Sequence, residues 1–244
     1  MVDVLNRSVD RALTILKCYK AEDRGLTLAE VSRRTGIHKT TALRLLATLE
    51  SHRMIARLPS GMFALGAEVL RLGTLFGDTL EIAPIVRPFL QRLVQETGES
   101  ASLFVKEGDF RRCLMREETT RTIREHVRVG DLLPLPLGAF GRVVDAFAAP
   151  PLDGERREPA AVPIVTLAER VPGLGSIAMP VWQSGNRFCG AVGISIPLFR
   201  ATDEVVEAAV RHVAAAGEDL TRRLGGMAPE WAMPQHAHER RMNQ

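Results

Sequence analysis

Cysteine is scarce in this 244-residue chain: Cys18, Cys113 and Cys189 are widely separated and odd in number. That pattern fits buried, reduced thiols better than a disulfide framework or a zinc site. Long apolar runs are missing as well. None approaches the ~18 residues needed to span a bilayer, so no membrane partner is expected. The opening MVDVLNRSVDRALTI puts acids and an arginine where a secretory signal carries its apolar core, which points to the cytoplasm. Catalytic signatures are absent too: GxSxG, HExxH, GxGxxG and GxxxxGK[ST] do not occur. Glu117 and Glu118 are adjacent on a strand pattern and point to opposite faces. His236 and His238 form the one close histidine pair, on a tail without periodicity and without a third ligand. No catalytic residue, metal site or cofactor is expected.

Hydrophobic residues at 45% and charged residues at 25% give a globular composition, long enough for one large domain or two ordinary ones. The net charge of +3 conceals an asymmetry. Residues 1–60 hold 11 Lys/Arg and 6 Asp/Glu, while the remainder is mildly acidic. A basic end on an acidic body suits contact with a polyanion.

That basic end reads as three helices and a hairpin. In SVDRALTILKCYK, Ser8 is the expected N-cap, and Val9, Ala12, Leu13, Leu16 and Tyr19 form the apolar stripe. TLAE at 27–30 matches a capping box, and the helix it opens stops at Gly36. HKTTALRLLATLE follows at 38–50. Ala42, Leu45, Leu46 and Leu49 fall on its inner side, and Thr40, Arg44, Ala47 and Ser51 on its outer side. MIARL and MFAL, joined by PSG, make a hairpin. Helix, glycine turn, helix and hairpin is the order of a winged helix-turn-helix, whose second helix lies in the DNA major groove. Short side chains outside let that helix sit deep. Lys39 and Arg44 bring charge, and Thr40 and Thr41 bring hydroxyls. His38 opens the helix and reads equally well as a phosphate contact or a solvated residue.

Beyond the hairpin, LGAEVLRLGTLF (65–76) is a connecting helix with Val69, Leu72 and Phe76 on one face, apolar enough to pack on a partner chain. IAPIVRPFLQRLVQETG places Ile85, Phe89, Leu93 and Val94 inward. SLFVKEGDFRRCLMRE reads as a hairpin around 107–109, TIREHVRV as a third strand, and GAFGRVVDAFA as a short helix. After a Pro- and charge-rich passage at 150–163, PIVTL, SIAMPVW and RFCGAVGISI read as strands, the last two joined at Ser184-Gly185-Asn186. A last helix starts at Thr202. Strands flanked by helices make an α+β sensor-like domain.

In this order, RALTILKCY, LTLAEVSRRTGIHKTTALRLLATLESHRMIAR, FALG, RVGDLLPLPLGAFGRV, ERVPGLGSIAMPVW and GAVGISIPLFR closely resemble the IclR-type bacterial transcription regulators, across residues 4–225. The resemblance implies an α+β chain. An N-terminal winged helix-turn-helix (1–66) is joined by a linker helix (67–80) to a GAF-like effector domain (81–226), with a disordered tail (227–244). It implies homodimers, often paired into tetramers, on palindromic double-stranded DNA operators, and a small organic or aromatic acid as effector. Matching positions make Arg7, His38, Lys39, Thr40, Thr41 and Arg44, with Arg57 and Ser60 on the wing, the DNA contacts. Val129, Leu135, Ala139, Phe140, Glu169, Ser176, Gly193 and Ser195 are the effector contacts. Two positions depart from the family: Gly193 replaces a usual hydroxyl, and Phe140 stands where a small residue is common. A phenyl ring in that place would fill much of a small pocket, leaving room for a smaller ligand or none. Two other readings therefore stay open: a regulator whose effector domain only dimerises, and an enzyme on the α+β domain with the helix-turn-helix as accessory.

Overall fold

The computed structural model describes residues 6–20, 22–78, 81–148 and 161–227. The 150–163 passage, apart from its last residues, lies outside them, as does nearly all of the tail with His236 and His238. The chain forms two compact units, Met1–Glu81 and Ile82–Gln244.

In the first unit, helices α1 (Arg7–Lys17), α2 (Leu28–Thr35) and α3 (Lys39–Ser51) precede a hairpin of β1 (Ile55–Arg57) and β2 (Phe63–Leu65) and a further helix, α4 (Ala67–Asp78). The N-cap of α1 is Asn6 rather than Ser8: its carboxamide oxygen accepts from the Ser8 and Val9 amides at 3.1 and 3.3 Å, so the helix starts at Arg7. The apolar stripe also differs. Ile15 is the buried residue, flanked by Ala12, Leu16 and Tyr19, whereas Val9 and Leu13 are 54% and 49% exposed. Spacing of three and four from Ile15 selects residues 12 and 19, and Val9 and Leu13, six and two residues away, fall on the far side of the helix. The capping box at α2 forms: the Glu30 amide donates to Thr27 Oγ1 at 3.3 Å, and the Thr27 amide donates to the Glu30 carboxylate at 2.8 Å. Gly36 then turns the chain at φ 71°, a conformation that costs a side chain dearly. Ala42, Leu46 and Leu49 of α3 pack with Ile15, Val31, Ile55 and Phe63 in one core.

The second unit is built on a six-stranded antiparallel sheet. Its strands are β3 (Ser100–Glu107), β4 (Phe110–Glu117), β5 (Leu132–Pro134), β6 (Ile164–Leu167), β7 (Leu174–Gln183) and β8 (Arg187–Pro197), in the order β5-β4-β3-β8-β7-β6. Helices α5 (Ala83–Thr97) and α7 (Asp203–Arg223) share one core with Leu103, Ile177, Met179, Val192 and Ile194. Helix α6 (Gly138–Phe147) packs with the alternate set, Phe104, Ala178 and Ala191. The two-residue period of a strand thus assigns each side chain to one of two cores. Helix α5 buries Val86, Leu90 and Leu93, so its stripe is turned from the one expected, and Ile85, Phe89 and Val94 are only partly covered.

TIREHVRV does not form the third strand. Arginines take its backbone instead: Arg116 Nη2 donates to the Glu125 carbonyl at 3.0 Å and Arg200 Nη2 to the Ile123 carbonyl at 2.9 Å. With those acceptors engaged, the pairing moves along to β5, which aligns Leu132–Pro134 with Arg112–Phe110.

Candidate DNA-binding surface and effector cavity

Helix α3 turns Thr40, Arg44, Ala47 and Ser51 to solvent, with Leu43 also exposed, while Leu46 and Leu49 enter the core. His38 is its N-cap residue but makes no capping bond, its Nδ1 lying 3.3 Å from Thr40 Oγ1. The first-turn amides therefore lack an intrahelical acceptor and a side-chain cap, and no acid occupies that turn. An uncapped helix N-terminus favours an anion such as a phosphate. Lys39 is exposed and Thr41 half-buried; Arg7 is exposed at the first position of α1. On the wing, Arg57 is exposed with its guanidinium 5.7 Å from the Phe63 ring centroid, and Ser60 sits in the turn, accepting from the Met62 amide. Arg34 has a different task. It pairs in a fork with Asp23 at 2.5 and 2.9 Å and also donates to the Cys18 carbonyl, which ties α2 to the end of α1. That fork holds the Asp23 carboxyl below its ordinary pKa.

In the second unit a cavity lies between the sheet and the start of α6, lined by Phe104, Arg111, Glu125, Leu133, Phe140, Thr166, Arg170, Leu174, Gly175, Ser176 and Ser195. Its volume is only about 10 Å³, room for roughly one water. Phe140 and Phe104 close it, with ring centroids 4.8 Å apart. Of the expected effector residues, the fold brings Phe140, Ser176 and Ser195 to the wall. Ala139 and Leu135 pack behind it. The Ala139 amide donates to Thr166 Oγ1 at 2.9 Å and Ser176 Oγ at 3.0 Å. Glu169 lies outside, capping α6 through the Gly138 amide at 3.3 Å and pairing with Arg142 at 2.8 Å. Val129 is 62% exposed and also outside. Gly193 is not on the wall either. A Cβ there would come within 2.0 Å of the Ile177 carbonyl oxygen, so no side chain fits, hydroxyl-bearing or otherwise.

The residue that dominates the cavity is Arg111, which sequence reading passed over as part of a hairpin. It is 2% exposed, its Cζ lies 5.5 Å from the Phe104 ring centroid, and Nη1 donates to the Pro134 carbonyl at 2.9 Å. Nε has no partner, and among the described residues Arg111 forms no ion pair. Gly141 leaves it space, since a Cβ there would stand 2.4 Å from Nη1. Burial, and then the neighbouring Arg170, pull its pKa down to about 10. It stays cationic at neutral pH, and that charge is buried at a cost. The signal was present in the strand register: the two-residue period puts Arg111 on the same side of β4 as buried Cys113. Burial pushes the Cys113 thiol up to about 12 and raises Cys189 as well, so both remain thiols rather than reactive thiolates.

A winged helix-turn-helix followed by an α+β domain with a small, cation-lined cavity is the architecture of a DNA-binding regulator. Two family models match: the IclR helix-turn-helix domain over residues 8–59 and the bacterial transcriptional regulator IclR C-terminal domain over 76–158. The HTH-type transcriptional regulator BhcR of Paracoccus denitrificans is 31% identical over 251 residues, covering 91% of this chain and 88% of its own. A crystal structure of an IclR transcriptional regulator from Alicyclobacillus acidocaldarius superposes with a TM-score of 0.71 at 25% identity, over 89% of this chain and 98% of that one. Another, an IclR homologue from Microbacterium hydrocarbonoxydans complexed with 4-hydroxybenzoate, gives 0.69 at 20% identity, over 88% and 99%. The chain belongs to the IclR family of bacterial transcription regulators.

Proposed function

We propose that this chain is a cytoplasmic, homodimeric regulator that reads a palindromic operator through α3 and the wing, and that a small organic acid in the Arg111 cavity sets its DNA affinity. The observation that carries the effector reading is Arg111 itself: a buried guanidinium with a free Nε on the wall of a cavity. A buried cation without a carboxylate partner is costly, and a ligand carboxylate supplies the missing partner. The homologue bound to 4-hydroxybenzoate supports an acid as the class of effector. The volume of about 10 Å³ argues for an acid smaller than an aromatic one. It also favours a second reading, in which the domain's own side chains have replaced the ligand.

Dimerisation is supported by apolar residues left open in the first unit: Val9 and Leu13 on α1, and Leu70, Leu72 and Leu75 on α4. A two-fold pair of α3 helices would meet half-sites about one DNA turn, ~34 Å, apart or at a longer multiple. The test is titration of the protein onto DNA from upstream of its own gene and onto a shuffled control, at several salt concentrations. Preferential binding with a steep salt slope is expected. Arg44→Ala should cost ~1–3 kcal/mol on the specific sequence alone. Equal loss on both DNAs would mean that Arg44 neutralises phosphate and reads no base.

A further inference from the structure

One acid stands among the cations of the cavity. Glu125, its side chain 8% exposed, is the sole carboxylate among the described wall residues, alongside Arg111 and Arg170. Arg170 Nη2 holds its Oε1, and Arg116 Nη1 stands 3.8 Å from its Oε2. The Arg116 side chain is itself buried; its Nη1 donates to Ser102 Oγ at 2.9 Å and its Nε lies 3.6 Å from Glu118 Oε1. Three guanidinium groups thus gather around one carboxylate, and the one with no share of it is Arg111. An anion that enters to meet Arg111 must also meet Arg170, which is already engaged.

Glu125 also sits in the segment between β4 and β5 that failed to become a strand. Its ends are tied at Thr119, whose hydroxyl donates to the Gly98 carbonyl at 2.7 Å, at Val127, buried in the core with Phe104 and Phe140, and at Gly130, whose carbonyl accepts from Arg112 Nη1 at 2.7 Å. Arg116 and Arg200 donate to the carbonyls of Glu125 and Ile123, Arg124 pairs with Glu118 at 2.9 Å, and Arg121 pairs with the buried Glu99 at 2.7 Å. The ion pair of Glu125 with Arg170 is the tie that reaches from this segment across the cavity to the β6–β7 connection.

We propose that Glu125 is the cavity's built-in anion and that effector binding is an exchange of carboxylates. The incoming acid takes the free Nε of Arg111 and displaces Glu125 from Arg170, and the middle of that segment, around Glu125, thereby loses its tie across the cavity. This rests on the reading of the cavity as an anion receptor and adds how occupancy becomes a conformational signal. A ligand shifts a conformational equilibrium only through contacts that differ between the two states. Here the differing contact is named: Arg170 bonded to Glu125 in one state and to the ligand in the other.

The experiment uses full-length protein with sodium formate and sodium acetate as probes, against sodium chloride at constant ionic strength. Binding is read by calorimetry and the 119–130 amides by hydrogen exchange. Glu125→Gln, which removes the competing charge, should bind acetate at least about tenfold more tightly than the unaltered protein. Its 119–130 amides, without any probe, should exchange as fast as those of the acetate-saturated unaltered protein. Glu125→Asp, which keeps the charge but draws it back from Arg170, should fall between. Equal acetate affinity in all three proteins, with exchange in 119–130 unmoved, overturns the exchange while leaving the anion receptor standing. Failure of every protein to bind either probe overturns the receptor and the exchange together.

Discussion

Replacing Arg111 by methionine should make this protein more stable. At about 1.4 kcal/mol for each pH unit of displacement, the fall of the Arg111 pKa from the ordinary arginine range above 12 to about 10 corresponds to roughly 3 kcal/mol against folding. Methionine removes that cost and keeps an unbranched stem of similar reach. The losses are smaller. The bond to the Pro134 carbonyl at 2.9 Å is worth about 1 kcal/mol. The stacking on Phe104 at 5.5 Å adds about another. A net gain of about 1 kcal/mol remains, in line with the general finding that apolar replacement of a buried ion is neutral or stabilising. For a domain of this size that is a rise of roughly 2–4 °C in Tm. The sign with pH follows from the lowered pKa. The penalty is complete below about pH 10, where Arg111 is protonated folded and unfolded alike. It fades at higher pH because the native state releases its proton first. The advantage of the variant should therefore shrink above about pH 10. Chemical denaturation of both proteins is the assay, and a variant less stable than its parent by about 2 kcal/mol would refute the reasoning. A side chain that costs stability where it stands fits a binding site better than a core.

Phe140→Ala should lower stability by ~3–5 kcal/mol, because the ring is buried and stacked on Phe104. It should also open the cavity, so that benzoate, excluded by the parent, binds in calorimetry. Thr27→Ala removes one half of the capping box and should cost about 1 kcal/mol in thermal denaturation, confined to the first unit. Gly193→Ser restores a hydroxyl but drives its Cβ into the Ile177 carbonyl, so it should unfold the second unit at markedly lower denaturant and not improve acid binding.

The helices and strands were legible wherever local chemistry and burial agree. The capping box at Thr27, the turn at Gly36 and the inner stripe of α3 are read directly from side-chain type and spacing. The one expected strand that did not form, TIREHVRV, fails because side chains from β4 and from the turn before α7 take its carbonyls. No period within the segment records those partners. The cavity was legible in part. Ser176 and Ser195 lie opposite each other in the β7–β8 register and both reach the wall. Thr166, Arg170 and Glu125 arrive there through pairings between distant segments, which a single sequence does not reveal. Arg111 was within reach, since the two-residue period of β4 turns it inward, and an inward arginine is costly enough to mark a site.

The central claim, that a small anion at Arg111 governs the grip on DNA, is tested most directly by one titration. Operator affinity would be measured for the unaltered protein and for Arg111→Met, each with and without formate or acetate at constant ionic strength. Acid should shift the unaltered protein's affinity by ~5–150-fold, the usual range of coupling between sites, and leave the variant's untouched. The same shift in both proteins, or none in either while DNA is bound normally, would contradict it.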